Sequence, residues 1–367
     1  MNIIYLDNSA TTPIKSEVLQ EMMPYLTTEY GNASSLYSVG RSAKRAIEKA
    51  RNRVAELLNC NHNEIYFTGG GSESDNIALK GFAYANKEKG NHIITSKIEH
   101  PAILETCKTL ERQGFEVSYI NVNEDGIIDV EELRKSIKSN TILISVMTAN
   151  NEVGTIQPIE EIAKIAHDNN IVFHTDAVQA IGNVQIDVEK MRIDMLSLSS
   201  HKINGPKGVG ALYIKNGIEV EKFINGGHQE KDRRAGTENV AGIVGIGKAA
   251  EIARKNMETH IRNLSKIRDY YIKKVQKEIP NIRINGSMEN RLPGNANISF
   301  KGINASELIF KLDERGICVS SGSACSSGNT NPSHVLTAMN VPEVYLNSAI
   351  RTTFGDNNTF EQVDYVV

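Results

Sequence analysis

Leu196-Ser-Leu-Ser-Ser-His-Lys202-Ile-Asn-Gly-Pro-Lys-Gly-Val-Gly210 reads as a strand that stops at a cluster of hydroxyls, an imidazole and one lysine. The run Met195–Leu198 is apolar, and Gly205-Pro206 with Gly208 and Gly210 enforces an irregular turn directly after it. Lys202 is therefore expected at the end of a buried strand. An amine held there, partly desolvated, becomes a usable nucleophile for a carbonyl, which is the chemistry of a Schiff base. Ser199, Ser200 and His201 add donors suited to an anion. Taken alone, the stretch equally suits a surface lysine in a polar loop.

On both sides of it, short apolar runs alternate with helical patterns. The runs are Ile65–Thr68, His92–Thr95, Glu116–Asn121, Thr141–Met147, Ile171–His174, Met195–Leu198 and Gly210–Ile214. Helical spacing marks Glu73–Ala85, Ala102–Gln113, Val130–Ser136 and Ile159–Asn169. This pattern predicts an α/β fold whose mainly parallel, seven-stranded sheet carries helices on both faces, with ligands at the carboxyl ends of the strands.

The residues after those ends are therefore the ones to weigh. The first strand leads into Thr68-Gly-Gly-Gly-Ser-Glu-Ser-Asp75, where Ser72 suits a helix N-cap and Asp75 its capping-box partner. Glycines ahead of a helix N-terminus offer backbone N–H groups to an anion, and the absence of a following Gly-Lys-Ser/Thr excludes a Walker loop. Later strands lead into Glu99-His100-Pro101, Ala149-Asn-Asn-Glu-Val-Gly154 and His174-Thr-Asp176-Ala-Val-Gln179. Singly, His100 or Asp176 suits a structural hydrogen bond. Together, the strand ends present what pyridoxal phosphate requires: a lysine for its aldehyde, a carboxylate for its pyridine nitrogen and a helix N-terminus with hydroxyls for its phosphate.

Across 367 residues, 41 basic and 44 acidic side chains nearly cancel, which argues against nucleic acid or an anionic membrane as the main partner. Neither a leader pattern nor a membrane-spanning run is legible, so a cytoplasmic protein is expected. Of the four cysteines, Cys60, Cys107 and Cys318 lie in or beside apolar patterns and read as packed thiols. Cys325 differs: Ser320-Ser-Gly-Ser-Ala-Cys-Ser-Ser-Gly328 has no hydrophobic face to bury a thiol, which makes it a candidate nucleophile or redox group. Arg41–Leu58 has helical spacing with a basic face (Lys44, Arg45, Lys49, Arg51, Arg53) expected in solvent. Beyond a long helical pattern, Ile243–Lys274, the runs Ala296–Phe300, Ile317–Ser320 and Ala349–Phe354 read as a smaller α/β domain. The expected division is an N-terminal segment (1–15) packing with that domain, a large cofactor-binding domain (16–240), and the small domain (241–367) with the cysteine loop at 320–330.

The chain resembles the NifS/IscS-type cysteine desulfurases, fold-type I pyridoxal-phosphate enzymes related to the class V aminotransferases. The likeness runs through Tyr5-Leu-Asp-Asn-Ser-Ala-Thr-Thr-Pro13, Gly31-Asn-Ala-Ser-Ser35, Gly71-Ser-Glu-Ser-Asp-Asn76, Glu99-His100, Asn150-Asn-Glu152, His174-Thr-Asp-Ala-Val-Gln179, Ser199-Ser-His-Lys-Ile203, Arg233-Arg-Ala-Gly-Thr-Glu-Asn239 and Ser320-Ser-Gly-Ser-Ala-Cys325. It implies that Lys202 carries the cofactor, that His100 stacks on its ring and moves protons, and that Asp176 and Gln179 meet the pyridine nitrogen and phenolic oxygen. Asn151 would approach ring and substrate, and Gly71, Ser72, Ser199 and His201 would hold the phosphate. Thr237 resembles a phosphate ligand contributed from a partner subunit, which implies a homodimer with shared sites. Arg351, in Ala349-Ile-Arg-Thr-Thr-Phe-Gly355, matches the arginine that pairs with the substrate carboxylate, and Asn8 and Asn32 would help position substrate.

The reaction implied is removal of sulfur from L-cysteine: Lys202 takes the α-proton, Cys325 attacks the substrate sulfur and becomes a persulfide, and alanine leaves. The persulfide would pass to an acceptor such as an iron–sulfur scaffold or a tRNA-thiolation protein. The same scaffold also serves selenocysteine lyases, aminotransferases and kynureninase-like hydrolases, and an inactive scaffold is a further alternative. A mobile cysteine argues against the transaminating and hydrolytic forms, and the presence of Lys202, Asp176 and Cys325 argues against inactivity. Two features depart from the family pattern. Lys231-Asp232 stands where a glycine is common, and relatives continue beyond Gln362-Val-Asp-Tyr-Val-Val367.

Overall fold

A computed structural model describes residues 3–321 and 332–367. Its strands, in chain order, are β1 Ile4–Tyr5, β2 Ile65–Thr68, β3 His92–Ser96, β4 Glu116–Ile120, β5 Thr141–Ser145, β6 Val172–Asp176, β7 Met195–Ser199, β8 Gly210–Ile214, β9 Ile282–Ile284, β10 Asn295–Phe300, β11 Ile317–Cys318 and β12 Ala349–Thr353. Seven of them form one sheet in the order β2-β8-β7-β6-β5-β3-β4. The pairs from β7 through β4 are parallel, while β8 runs antiparallel to both β7 and β2. The seven apolar runs of the sequence are these seven strands. All residues of β3, β5, β7 and β8 are buried, as a sheet covered on both faces requires.

One face packs against helices Ser38–Leu58, Ile159–Asp168 and the first turns of Val240–Glu278, through side chains such as Ile47, Val54, Ile162 and Ile246. The other face holds Phe82, Ile103, Cys107 and Leu110. A third core gathers Ile4, Leu6, Ile298, Ile317, Ile350 and Val363 around the later turns of the long helix, at Ile267, Tyr271 and Val275. In that part of the chain, β12-β10-β9 form an antiparallel sheet, and β1 pairs in parallel with β11, Ile4 against Ile317. Burial pushes the Cys60 thiol up to about 12 and the Cys107 thiol up as well, consistent with packed, inert cysteines. Among the described residues, no helix is long and apolar enough to cross a membrane.

The basic face expected on Ser38–Leu58 is corrected at one position. Arg51 is buried, because its turn of the helix faces the edge of β2, and it forms a two-point ion pair with Glu230 (Nη1–Oε2 2.7 Å, Nη2–Oε1 2.9 Å). Arg51 also donates to the Ile65 carbonyl, and Glu230 accepts from the Phe67 N–H, so the pair is tied to β2 through both partners. Glu230, Lys231 and Asp232 all have left-handed backbone, with φ of 46°, 54° and 68°. Lys231 and Asp232 thus occupy, with side chains, a conformation that favours glycine.

Candidate active site

The helix after β2 begins at Gly71, with Gly70 as its N-cap and no side-chain cap. Ser72 therefore lies inside the first turn, and the capping box expected between Ser72 and Asp75 does not form. Asp75 instead points inward and is buried. The glycines are required by close approach: a Cβ on Gly71 would stand 2.7 Å from Val178 Cγ2, and one on Gly210 would stand 2.8 Å from the Gly70 backbone. The N-terminus of this helix is thereby brought against the end of β7, where Ser199 is buried, and against the residues that follow Asp176.

Lys202 leaves the short turn Ser200–Lys202 that follows β7. Its Nζ donates to the carbonyls of Ser9 and, at 2.9 Å, Ala10; Gln179 Nε2 donates to the same Ser9 carbonyl at 3.0 Å. The neighbouring His201 is fixed by its carbonyl, which accepts from the Thr12 N–H and hydroxyl, and by its Nδ1, 3.1 Å from Thr11 Oγ1. Burial, reinforced by Lys202, pushes the His201 imidazole down to about 4, so it is neutral at neutral pH.

Asp176 ends β6, buried, with Oδ1 accepting from the Val178 N–H at 2.9 Å. Burial raises its pKa, while His100, the Val178 N–H and Lys202 oppose that shift. His100 caps helix Pro101–Arg112 by accepting the Ala102 N–H on Nδ1 at 3.1 Å. A ring nitrogen of His100 lies within 4.8 Å of carboxylate oxygens of both Asp176 and Asp75. Burial pushes the imidazole of His100 down, against the pull of Asp176. A buried carboxylate, an imidazole, an amine and a glycine-lined helix start thus converge at the strand ends, and this donor set fits pyridoxal phosphate.

Arg351 on β12 is buried, donating from Nη2 to Asp7 Oδ1 at 2.7 Å and from Nη1 to the Asn151 carbonyl at 3.0 Å. Asn151, half-buried, sits in a loop that Asn150 shapes by accepting the N–H groups of Glu152 and Val153. Asn8 donates to the Thr353 carbonyl at 2.8 Å and lines, with Ser9, Gln179 and Lys202, a cavity of about 450 Å³ that extends toward Asn183, His260 and Asp356. One expected site residue is not brought in: Asn32 is exposed and caps its own loop by accepting the Ser34 N–H, and no hydrogen bond among the described residues joins it to the strand ends. Thr237, expected at a partner subunit's phosphate rather than at this chain's own strand ends, is exposed. Cys325 lies outside the described residues.

The flanks of that cysteine's segment are described, and both attach to the site. Ser320 exchanges backbone hydrogen bonds with Arg351 (2.6 and 3.2 Å). Ser333 Oγ donates to Glu152 Oε2 at 2.5 Å, and His334 Nε2 lies 3.0 Å from the Glu99 carbonyl. Glu99 and Glu152 are both buried, Glu99 with its carboxyl pushed up to about 8 by burial although Ser96 and the Met147 N–H donate to it. Sequence reasoning assigned no role to Asp7, Glu99, Glu152, Ser333 or His334. The first three stood within quoted motifs; apart from Ser96 beside Glu99, their partners lie far away in the chain, and no local pattern announces them.

Residues 4–366 match the family described as Aminotransferase class-V, and the chain belongs to that family of pyridoxal-phosphate enzymes. It is 53% identical over 366 residues to "Cysteine desulfurase IscS" of Clostridium botulinum, covering 99% of this chain and 92% of that protein. It is likewise 53% identical over 364 residues to "Cysteine desulfurase IscS" of Methanosarcina thermophila, covering 99% and 90%. Among solved structures, a NifS-like protein superposes with a TM-score of 0.94 at 39% identity over 100% of this chain and 97% of that one. A structure described as SspA in complex with cysteine gives 0.85 at 38% identity over 95% and 98%.

Proposed function

We infer that the chain is a cysteine desulfurase, using pyridoxal phosphate to convert L-cysteine to L-alanine while Cys325 becomes a persulfide. The observation that carries this reading is the attachment of both flanks of the Cys325 segment to site residues, Ser320 to Arg351 and Ser333 to Glu152. Both flanks of that segment thus meet residues that the same reading assigns to the substrate, which supports a part for Cys325 in the reaction. Relatives named cysteine desulfurases, similar over nearly the whole chain, support the same conclusion.

Gly71, Ser72, Ser199 and His201 would hold the phosphate, Asp176 the pyridine nitrogen, Gln179 the phenolic oxygen, and Lys202 the aldehyde carbon. When bound, the cofactor supplies an electron-accepting ring for charge developing at the substrate α-carbon. Arg351 holds the substrate carboxylate by a planar two-point pairing, for which its contact with Asp7 gives way. Asn151, whose carbonyl already touches Arg351, and Asn8 border the substrate, with Asn32 a further candidate. Lys202 Nζ removes the α-proton, and His100, its imidazole kept neutral by burial, is able to accept and return one. The sulfur of Cys325 forms an S–S bond as the substrate C–S bond breaks, and a proton added to the remaining fragment completes alanine.

The working unit proposed is a cytoplasmic homodimer in which Thr237 reaches the partner's phosphate site, with the sulfur passing to an acceptor such as an iron–sulfur scaffold. The division at 16–240 and 241–367 is proposed on the same footing, since the long helix contributes its first turns to one core and its later turns to another. The test is an absorbance spectrum of the purified protein with alanine and sulfide assays for wild type and Cys325→Ala. A visible cofactor band kept in the variant, with alanine formation lost, is expected; a band that cannot be restored by adding pyridoxal phosphate would overturn the reading.

A further inference from the structure

Beneath the strand ends lies a second buried carboxyl. Asp75 is 1% exposed, and its Oδ1 has no hydrogen-bond partner among the described residues. One of its oxygens lies within 4.8 Å of an oxygen of Asp176. Two carboxylates so close and so dry cannot both stay ionised unless a cation joins them. The nearest candidate, His174, stands with Nε2 3.9 Å from Asp75 Oδ1, but its two ring nitrogens are engaged by Ser145 Oγ (2.9 Å) and Ser197 Oγ (3.0 Å). Burial also pushes that imidazole down to about 3, so it brings no charge. We therefore read the contact as polar rather than ionic.

The surroundings of the two acids differ. Asp176 has the Val178 N–H, and the positive potentials of His100 and Lys202 act on it. Asp75 has the Ser197 hydroxyl on one side and the negative potentials of Asp176 and Glu99 on the others. We propose that Asp75 is a neutral carboxylic acid in the folded protein and a positioning residue for Asp176: it carries the proton of the pair and so confines the negative charge to the carboxylate that meets the pyridine nitrogen. The positioning role rests on the reading of Asp176 given above; the protonation state does not.

The test reads the proton directly. Infrared spectra of wild-type protein labelled with carboxyl-¹³C aspartate, with and without cofactor, are expected to show an isotope-sensitive protonated-carboxyl band that persists at about pH 8, far above the ordinary aspartate range. The label separates aspartate from Glu99 and Glu152 without any mutation. Asp75→Asn, which preserves shape and neutrality, is expected to abolish that band and to leave the pH midpoint of the visible cofactor band within about 0.3 units of wild type. Absence of an isotope-sensitive band, or its persistence in Asp75→Asn, would overturn the proposal. So would a midpoint shift of about one unit or more, the signature of a removed anion. Asp176→Asn separates the two readings: an unaltered visible band in that variant removes the Asp176 assignment, and with it the positioning role, whatever the infrared result.

Discussion

Ser333 and Glu152, far apart in the chain and both buried, share a hydrogen bond of 2.5 Å that fastens the downstream flank of the Cys325 segment to the loop carrying Asn151. Ser333 is also the N-cap of helix His334–Ala338, accepting the N–H groups of Val335 and Leu336. One hydroxyl therefore joins the cysteine's flank, the Asn151 loop and a helix start. Ser333→Ala should cost about 1–3 kcal/mol of stability by stranding a buried carboxyl. It should slow alanine formation while leaving the visible cofactor band intact. Single-turnover kinetics at wild-type rate would show that the tether is unrelated to sulfur transfer.

Glu99 gives a pH test. Its carboxyl, ordinarily near 4.5, is raised by burial to about 8. A raised carboxyl favours the folded state while it holds its proton, so that contribution is complete below about 4.5 and is lost as pH rises through about 8. Glu99→Gln removes the dependence. Relative to wild type, the variant should gain stability with rising pH between about 5 and 8, by up to about 1.4 kcal/mol per unit. Urea denaturation at several pH values checks this, and a difference that stays flat would contradict it.

The Arg51–Glu230 pair predicts an asymmetry. Removing one partner, as in Glu230→Ala, leaves a buried charge and should cost about 3–5 kcal/mol. By contrast, Lys231→Gly relieves left-handed backbone one residue away and sacrifices exposed contacts to Asn63 and a cation–π contact with the Tyr66 ring at 5.6 Å, so it should stay within about 1 kcal/mol of wild type. Thermal melts of the two variants should move in different directions or by very different amounts.

These cases also mark what the sequence made legible. The seven sheet strands and the flanking helices followed from apolar runs and helical spacing, because each signal is contained within one element. Lys202, His100 and Asp176 stood out because they close three such strands. The antiparallel course of β8 did not, since orientation is set by pairing rather than by the residues of the strand. Helical periodicity places Arg51 in solvent because it does not say what lies opposite a position at the border of the apolar stripe; here it is a glutamate from far downstream. The pattern at Ser72 makes Asp75 a cap partner, whereas the helix starts two residues earlier, with Gly70 as its N-cap, which turns the carboxylate inward.

Gly71→Ala should uncouple fold from cofactor. The added methyl would press on Cγ2 of Val178, two residues after Asp176, at 2.7 Å. Far-ultraviolet circular dichroism should be unchanged while the dissociation constant for pyridoxal phosphate rises by about tenfold or more, the equivalent of about 1.4 kcal/mol. Unchanged cofactor affinity would remove this glycine from the phosphate cradle.

Arg351→Lys keeps the charge but not the planar fork. With L-cysteine the KM should rise by about 10- to 100-fold, and the loss should be smaller for a substrate analogue without a carboxylate. Equal losses for both would assign Arg351 to holding Asp7 and Asn151 in place rather than to the substrate.

The pairing of Ile4 with Ile317 sets a timetable for the nascent chain. The first dozen residues supply the carbonyls of Ser9 and Ala10 that receive the Lys202 amine and the Thr12 contacts that hold His201. Yet β1 has no strand to pair with until β11 has left the ribosome. The segment made first can take its place only near the end of synthesis, and closing so long a loop is a slow, high-contact-order event. The reactive amine thus acquires its full setting only when the chain is almost complete, which delays competence until the cysteine-bearing segment exists.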